Sequence, residues 1–332
     1  SSTVFIAQND SCYKTPCSPG VRVALYIVLG LLTTLTVGGN LMVIVSIIYF
    51  KQLHTPTNVL IVSLACADFG VGLSVLPFST VRSVETCWYF GKIFCRFHSY
   101  LDLSFSLASL FHLCFISVDR YIAVTDPLIY PVKFTLPVSG VFIAVAWTFS
   151  LVYSFLVVYT GANEEELQEI VNAFTCVGSC QGTFNKIWVT VVCLLYFILS
   201  CTMIALYSKI FAVAKRQARM IEVLNNKTQS PDNYSDRVQK RERKAAKTLG
   251  IAVITFLVLW SPYFIIVMIY AFLNFITPTL IFEILVWFSY SNSAMNPLIY
   301  SLFYPWFRNA MKVILSCKIL HLDCSEMRLF SE

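Results

Sequence analysis

Charged residues stand at both ends of one long apolar stretch. Asp102 opens the stretch DLSFSLASLFHLCFISVDRY, and Asp119 and Arg120 stand near its end. At about 1.5 Å of helical rise per residue, the two ends would lie roughly 27 Å apart, close to the thickness of a bilayer's hydrocarbon core. A lone carboxylate near one membrane face could act as counter-ion for a cationic ligand, and an ion pair with Arg82 or Arg96 is the alternative.

Aromatic side chains are abundant in two later apolar segments. They are Trp260, Tyr263, Phe264, Trp287 and Tyr290. Aromatic faces around a carboxylate form a box for an ammonium group, because ion pairing and cation–π attraction act together. Taken singly, these residues are as well explained by packing, and the acid at Asp102 is what favours a binding site.

A second carboxylate, Asp68 in SLACADFG, lies in the middle of another apolar segment. Small polar residues occur at similar depths in the neighbouring segments: Asn40, Ser109, Asn292, Ser293 and Asn296. A carboxylate among hydroxyl and amide oxygens suits a small hard cation, so the pattern predicts a sodium site at Asp68, Ser109, Asn292 and Asn296. A hydrogen-bonded contact between helices is the alternative.

The elements that position these residues follow from the composition. Hydrophobic residues make up 57% of the 332 residues and charged residues 13%, against about 25% charge in soluble proteins. The apolar stretches are Val23–Phe50, Thr57–Val81, Phe97–Val118, Phe134–Tyr159, Ile187–Ser208, Thr248–Phe272 and Ile284–Phe303. Each has the length of a spanning helix, and none alternates as a barrel strand would. The sequence predicts an all-α membrane protein, a seven-transmembrane helix bundle.

The basic residues predict the orientation. Many of them fall between Lys209 and Lys247, and alternation of seven spans places most of the others on the same side. Positive charge collects on the cytoplasmic side, which puts the N-terminus outside and the C-terminus inside a plasma-membrane protein. The net charge of +6 then faces anionic lipid, and a nucleic-acid role is disfavoured.

The expected organisation has three parts: an extracellular N-terminus (1–21), a receptor domain (22–304) and a cytoplasmic tail (305–332). The stretch FYPWFRNAMKVILSC, which runs from Phe303 into the tail, has an amphipathic pattern typical of a helix on the membrane surface. Cys317 is a candidate palmitoylation site, and Asn9 begins an N-glycosylation sequon on the predicted outer side. Six cysteines fall on that side, and their pairing is open from the spacing alone: Cys12, Cys17, Cys87, Cys95, Cys176 and Cys180.

Motifs in every predicted span resemble the rhodopsin-like (class A) G-protein-coupled receptors. They are GGNLMVIV, SLACADF, SVDRYIAV, Trp147, Tyr207, Phe256 with LWSP, and NSAMNPLIY. The stretches FKQLHTPTN, STVRSVETCWYFG, RKAAKTLGIAV and NPLIYSLFYPWFR are similar to trace amine-associated receptors, which detect volatile amines in olfaction and in neural tissue.

The resemblance implies roles for many residues. Asp102 would bind the ligand's ammonium group, with Tyr290 supporting it. The ligand set would be Asp102, Glu283, Tyr290, Trp260, Tyr263, Phe264, Trp287, Ser106 and Leu103. The activation switch would be Asp119, Arg120, Tyr121, Glu242, Tyr207, Phe256, Asn296, Pro297 and Tyr300.

The resemblance also implies partners and disulfides. A stimulatory heterotrimeric G protein would meet Arg120, Pro127 and Leu128 and raise cyclic AMP. Cys95 would pair with Cys180. Cys12 and Cys17 would pair with Cys87 and Cys176 in an order that stays open.

Glu283 raises the question of which amine binds. It precedes Tyr290 by two helical turns, about 10 Å along the axis, and would lie above Asp102 near the mouth of the pocket. Two carboxylates at that separation suit a diamine or polyamine such as cadaverine, putrescine or spermine. The alternatives are an exposed acid at a helix start and a monoamine receptor of the phenethylamine-binding kind that uses Asp102 alone.

Other function classes find less support in the sequence. No P-loop, zinc-spaced His/Glu set or nucleophile paired with a base occurs, so an enzyme is not predicted, and the expected cofactors are none apart from sodium. A seven-helix ion-translocating protein is the rival from another class, because Asp68 and Asp102 could line a path for protons.

Overall fold

The chain is helical in every long segment that the computed structural model describes, which covers residues 18–160, 180, 186–225, 234–273 and 278–316. These residues contain no β-strand. Lipid offers no hydrogen-bond partners, so an apolar chain must satisfy its peptide groups internally, and a helix does so within one segment.

Ten α-helices occupy the described residues. They are α1 (Pro19–Tyr49), α2 (Pro56–Gly70), α3 (Leu76–Glu85), α4 (Gly91–Thr125), α5 (Tyr130–Lys133), α6 (Leu136–Phe155), α7 (Lys186–Asn225), α8 (Tyr234–Leu273), α9 (Thr279–Phe303) and α10 (Pro305–Leu315). Two of them begin with the residues that favour a helix start, because Ser18 and Thr55 each cap a helix whose first residue is proline.

Six segments of the described chain are long and apolar enough to cross a membrane. They are Pro19–Tyr49, Pro56–Glu85, Gly91–Thr125, Leu136–Thr160, Ile187–Gln217 and Ala246–Leu273. The seventh span is α9, which has 25 residues and carries a run of small polar residues toward its end. The predicted fold class, a seven-helix transmembrane bundle with a short helix after it, is confirmed.

Two helices extend well beyond the apolar stretches of the sequence. The fifth span continues from Ser208 to Asn225 in α7, and α8 already begins at Tyr234 rather than near Thr248. Apolarity marks only the part of a helix that lipid surrounds. Lysine, arginine and glutamate are good helix formers, so they continue the helix into water.

The second span bends just beyond Asp68. A π-helical turn over Val71–Val75 joins α2 to α3, and Pro77 stands at the start of α3. Proline donates no backbone hydrogen bond and crowds the preceding turn, so the wider turn accommodates it. The turn sets the direction in which α3 presents Ser79, Arg82 and Ser83.

The third span, α4, is the central helix of the bundle. It packs against the second, fourth, fifth and sixth spans, and its buried positions run from His98 to Val124. One continuous helix therefore carries both Asp102 and Arg120. The end of the bundle that holds Cys95 is called the Cys95 end below, and the opposite end is called the Arg120 end.

The first and seventh spans approach closely at Gly39. A Cβ atom on Gly39 would lie 2.7 Å from Pro297 Cγ, whereas one on Gly38 would meet nothing within 4 Å. The proline ring is tied to its own backbone and cannot rotate away. Glycine at position 39 is therefore what allows α1 to lie against α9 beside Asn296 and Pro297.

The helix after the last span, α10, is held against the bundle by its apolar side chains and by one arginine. Trp306, Phe307 and Ala310 of α10 are buried. Arg308 donates hydrogen bonds to the carbonyl oxygens of Ser301 (3.3 Å) and Leu302 (2.8 Å) at the end of α9. Those carbonyls have no partner within their own helix, so Arg308 caps α9 and fixes the turn.

Candidate ligand site, switch and comparisons with known proteins

Asp102 lies on α4, half-buried, near the Cys95 end of the bundle. Tyr290 of α9 donates a hydrogen bond of 2.6 Å to Asp102 Oδ2. Ser106, one turn along α4, lies at 3.5 Å from Oδ1, the outer limit for such a bond. The carboxylate is oriented by these hydroxyls and keeps further lone pairs for a donor such as an ammonium group.

Two aromatic residues interact with this carboxylate, Tyr290 of the seventh span and Tyr263 of the sixth, and further rings pack against them. Tyr263 interacts electrostatically with Asp102, and its ring meets Trp260 edge-on at 6.0 Å between centroids. Trp287 meets Tyr290 edge-on at 5.6 Å. The predicted set of aromatic residues and the acid therefore come together, and the arrangement offers both ring faces and a negative charge to a cation.

Phe264 meets Trp260 at 5.8 Å and Tyr263 at 5.5 Å, and it also faces the fifth span. The ring of Phe264 is buried and stacks on Tyr196 of the fifth span at 4.0 Å. Leu103 is half-buried and packs against the main hydrophobic core. Tyr196 was not predicted from the sequence. Its hydroxyl lies 2.8 Å from Ser261 Oγ, which links the fifth span to the sixth next to the kink-prone Pro262.

Glu283 lies at the same end of the bundle and already has partners. Ser83 donates a hydrogen bond of 2.6 Å to Glu283 Oε2, and the Trp287 indole donates one of 2.9 Å to Ser83 Oγ. Arg82 forms an ion pair with Glu283, with 3.6 Å between Nε and Oε1. The second carboxylate is therefore present above Asp102, but a guanidinium group stands beside it.

Arg82 and Ser83 are residues whose contacts with Glu283 were not predicted from the sequence. Arg82 was considered only as a partner for Asp102, and Ser83 was not considered. A helical projection could have put Arg82 and Ser83 near the outer end of the second span. Only the packing of α3 against α9 shows that Glu283 is the carboxylate with which Arg82 pairs.

The buried carboxylate of Asp68 sits between the second and seventh spans, fully inaccessible to solvent. Ser293 donates a hydrogen bond of 2.8 Å to Oδ1, and Asn296 donates one of 2.7 Å to Oδ2. Ser109 interacts with the same carboxylate, and Asn292 is buried nearby in the seventh span. The residues predicted for a sodium site are thus on neighbouring helices at one depth.

The acid–base pair at the other end of α4 is closed in this structure. Arg120 Nε donates a hydrogen bond of 2.8 Å to Asp119 Oδ2. Thr57 of the second span donates one of 2.7 Å to the same oxygen and itself accepts from Arg120 Nη2. Both charged residues are buried, with side-chain exposures of 6% and 0%.

Tyr130 of the short helix α5 completes this cluster. Its hydroxyl donates to Asp119 Oδ1 at 2.8 Å and accepts from Arg120 Nη2 at 3.0 Å. Burial raises the pKa of Tyr130 to about 12, so the phenol stays protonated and continues to donate at physiological pH. Neither Thr57 nor Tyr130 was predicted. Nothing in the order of the motifs along the sequence indicates either contact.

Most of the remaining switch residues are buried, namely Tyr207, Phe256, Asn296, Pro297 and Tyr300. Phe256 meets Trp260 at 6.0 Å, and Tyr207 and Tyr300 are buried with hydroxyl groups that make no hydrogen bond. Lys209 Nζ stands 6.0 Å over the ring of Tyr121. Glu242 lies in α8, but its side chain is outside the described part of the chain, so its predicted place in the switch stays a prediction.

Among the side chains that the structure describes at the Arg120 end, Leu128 is the most exposed apolar one. It follows Pro127 in the loop between the third and fourth spans and is 92% exposed. An apolar side chain presented to solvent beside a charged switch is suited to insertion into a partner protein. Two of the three predicted G-protein contacts, Pro127 and Leu128, are therefore exposed, whereas Arg120 is buried in its ion pair with Asp119.

Covalent links tie down the Cys95 end. Cys95 of α4 is bonded to Cys180, the pairing that the family resemblance implies, and Cys87 is also in a disulfide. The predicted residues Asn9, Cys12, Cys17, Cys176 and Cys317 lie outside the described residues. Which cysteine pairs with Cys87 thus stays open.

Comparison with known proteins identifies the class. The family model for the 7 transmembrane receptor (rhodopsin family) matches residues 39–300. A rhodopsin-family receptor is the protein class that this bundle, with its closed acid–base pair and its buried carboxylate, represents.

Comparison with individual proteins identifies one family within this class. Trace amine-associated receptor 9 of Homo sapiens is 60% identical over 325 residues, which cover 98% of this chain and 93% of the relative. The receptor of the same name from Rattus norvegicus has the same identity, with 96% of the relative covered. Trace amine-associated receptor 7a of Rattus norvegicus is 58% identical over 325 residues, with 91% covered. The chain belongs to the trace amine-associated receptor family of G-protein-coupled receptors.

Membership in this family settles the coarse function. The protein is a multi-pass membrane receptor of the plasma membrane that binds amines and acts on a G protein, and it is not an enzyme. The alternative of an ion-translocating protein finds no support in these relatives.

Proposed function

We propose that this receptor detects small protonated amines through Asp102 and converts their binding into activation of a stimulatory G protein, with a rise in cyclic AMP and a role in olfaction. The observation that carries the proposal is the hydrogen bond of 2.6 Å from Tyr290 to Asp102 inside a group of aromatic rings. A half-buried carboxylate oriented in this way gains most when a cation from outside neutralises it.

The charges around Asp102 favour ligands with one ammonium group. Asp102, Glu283 and Arg82 together carry a net charge of −1, because Arg82 offsets one of the two acids. One ammonium group at Asp102 would bring the net charge of these three residues and the ligand to zero, and the Arg82–Glu283 ion pair would stay intact. We propose monoamines as the first ligand class on this ground.

Diamines and polyamines such as cadaverine, putrescine or spermine are the second candidate class. Glu283 supports them, because it lies on the same helix as Tyr290 and faces Ser83 of the second span. A second ammonium group at Glu283 would have to replace Arg82 as its ionic partner. The preference for diamines that the sequence predicts therefore stays a prediction.

A matched pair of ligands tests both the proposal and the ligand class. Cells that express the receptor would be exposed to n-pentylamine, cadaverine and a panel of aryl and alkyl amines, with cyclic AMP as the readout and mock-transfected cells as the control. We expect several monoamines to raise cyclic AMP. If cadaverine is at least tenfold more potent than n-pentylamine, the receptor belongs to the diamine class. If no amine raises cyclic AMP although the receptor reaches the cell surface normally, the proposal is overturned.

We propose that the Cys95 end is extracellular and the Arg120 end cytoplasmic. The disulfides at Cys95 and Cys87 support this orientation, because such bonds persist in oxidising compartments. Residues 1–21 would then lie outside, with glycosylation at Asn9, and residues 305–332 would lie inside, with palmitoylation at Cys317. The G protein would engage Arg120, Pro127 and Leu128, and α10 would lie on membrane lipid.

We propose that the Asp68 cluster can hold a sodium ion. Two buried oxygen atoms in this region, Asn40 Oδ1 and Asn292 Oδ1, make no hydrogen bond. Neutral oxygens of this kind, together with one carboxylate, are the ligands that a hard monovalent cation accepts. The residues present therefore fit the ion.

Sodium dependence of agonist affinity tests this site. Replacing sodium with N-methylglucamine should change agonist potency in the native receptor, because an ion at Asp68 would favour one of its two states. The Asp68→Asn receptor should show no such dependence. An equal sodium effect on both receptors would remove Asp68 from the site.

A further inference from the structure

Arg82 is a cation inside a pocket that serves to bind cations. Its side chain is 15% exposed, and its Nε atom is buried without a hydrogen bond. The ion pair with Glu283, at 3.6 Å from Nε, is longer than a hydrogen-bonded pair of such groups. Arg82 thus stands near its partner without being locked to it.

Asp102 is the other acid that interacts with Arg82, although the two do not form an ion pair in this structure. The guanidinium interacts electrostatically with Asp102 and with Tyr290, the residue that donates to that carboxylate. An arginine side chain has a long flexible stem and five donors, so small rotations redistribute it between two carboxylates. If Arg82 turned toward Asp102, it would occupy the place that the ligand's ammonium needs.

Glu283 is held in position by groups other than Arg82. Ser83 donates to its Oε2 atom, and the Trp287 indole fixes Ser83 in turn. This chain of hydrogen bonds keeps one carboxylate pointed at the second span whether or not Arg82 pairs with it. Glu283 is therefore suited to attract Arg82 away from Asp102.

We propose that Arg82 is a built-in competitor of the ligand's ammonium group, and that Glu283 keeps it away from Asp102 and so sets the selectivity between monoamines and diamines. The inference rests on the proposed amine function. In this arrangement Glu283 does not bind a monoamine, yet the monoamine's affinity depends on it. Removal of Arg82 frees Glu283 for a second ammonium group.

A double-mutant cycle tests this inference in the full-length receptor. The receptors are the native one, Glu283→Gln, Arg82→Gln and the double variant, and the readout is the potency of n-pentylamine and of cadaverine in a cyclic AMP assay corrected for surface expression. We expect Glu283→Gln to lower the potency of n-pentylamine about tenfold, because the released Arg82 turns to Asp102. The double variant should recover to within about threefold of the native receptor, since the competitor is gone.

The single variant Arg82→Gln should act mainly on the diamine. With Glu283 unpaired, the potency of cadaverine should rise about tenfold relative to that of n-pentylamine. Arg82→Lys keeps a positive charge beside Glu283 and is the matched control, with a selectivity close to the native one. This control separates a loss of charge from a loss of packing.

The outcomes distinguish this inference from the proposed function. An unchanged potency of n-pentylamine in Glu283→Gln, or a double variant as weak as that single variant, would overturn the role of Arg82 while leaving Asp102 as the anchor. An Asp102→Asn receptor that responds to amines as the native one does would instead overturn the amine site itself. The inference would fall with it.

Discussion

Replacing Asp102 with asparagine is expected to lower the potency of every active amine by 30-fold or more. The change keeps the shape of the side chain and lets Tyr290 and Ser106 stay in place, but it removes the negative charge. Loss of one partner from a buried, hydrogen-bonded charge pair costs about 2–5 kcal/mol, and about 1.4 kcal/mol corresponds to a factor of ten. Concentration–response curves for cyclic AMP give the measurement.

Tyr290→Phe is the matched control for this prediction. It removes the hydroxyl that donates to Asp102 but leaves the carboxylate, so we expect a loss of roughly tenfold, as for one hydrogen bond to a charged group. Both receptors should reach the cell surface in native amounts, which antibody binding to an N-terminal tag would show. Equal potency of the native and Asp102→Asn receptors would mean that the ammonium group binds elsewhere.

Replacing Asp119 with asparagine is expected to raise signalling in the absence of any ligand. Asp119 accepts hydrogen bonds from Arg120, Thr57 and Tyr130, and its charge offsets that of Arg120. Removing one partner of a buried ion pair destabilises the state that contains it by about 3–5 kcal/mol. In the variant, the inactive state keeps Arg120 buried without its carboxylate partner, and the active state avoids part of this cost because Arg120 moves out of that position. The active state therefore gains population, and basal cyclic AMP should rise roughly three- to tenfold.

Tyr130→Phe provides the graded comparison at the same cluster. It removes the hydroxyl contacts to Asp119 and Arg120, while the ring that lies 5.7 Å from the guanidinium carbon stays. We expect a smaller rise in basal cyclic AMP than with Asp119→Asn. If Asp119→Asn left the basal signal unchanged while surface expression and agonist response were preserved, the closed pair would not restrain activation.

Two features of the site show why part of it could not be predicted. Asp102 and the aromatic residues were predicted from a lone carboxylate in an apolar stretch and from the abundance of rings in later spans, and the role of Tyr290 was predicted from the family resemblance. The pairing of Arg82 with Glu283 was not predicted, because a π-helical turn at Val71–Val75 redirects α3 and no periodic pattern reveals such a turn. The contacts of Thr57 and Tyr130 likewise join segments 62 and 11 residues away from Asp119.

The sequence by itself determined the membrane class, the seven spans and the family, because long uncharged stretches have one stable form in lipid and because the motifs of each span keep their order. Tertiary structure alone decided which charges face each other. Helices α3 and α9 bring Glu283 to Arg82, and α2, α4 and α5 enclose the Asp119–Arg120 pair. Such partners are chosen by the rotation and bend of packed helices, which depend on side chains from several segments at once.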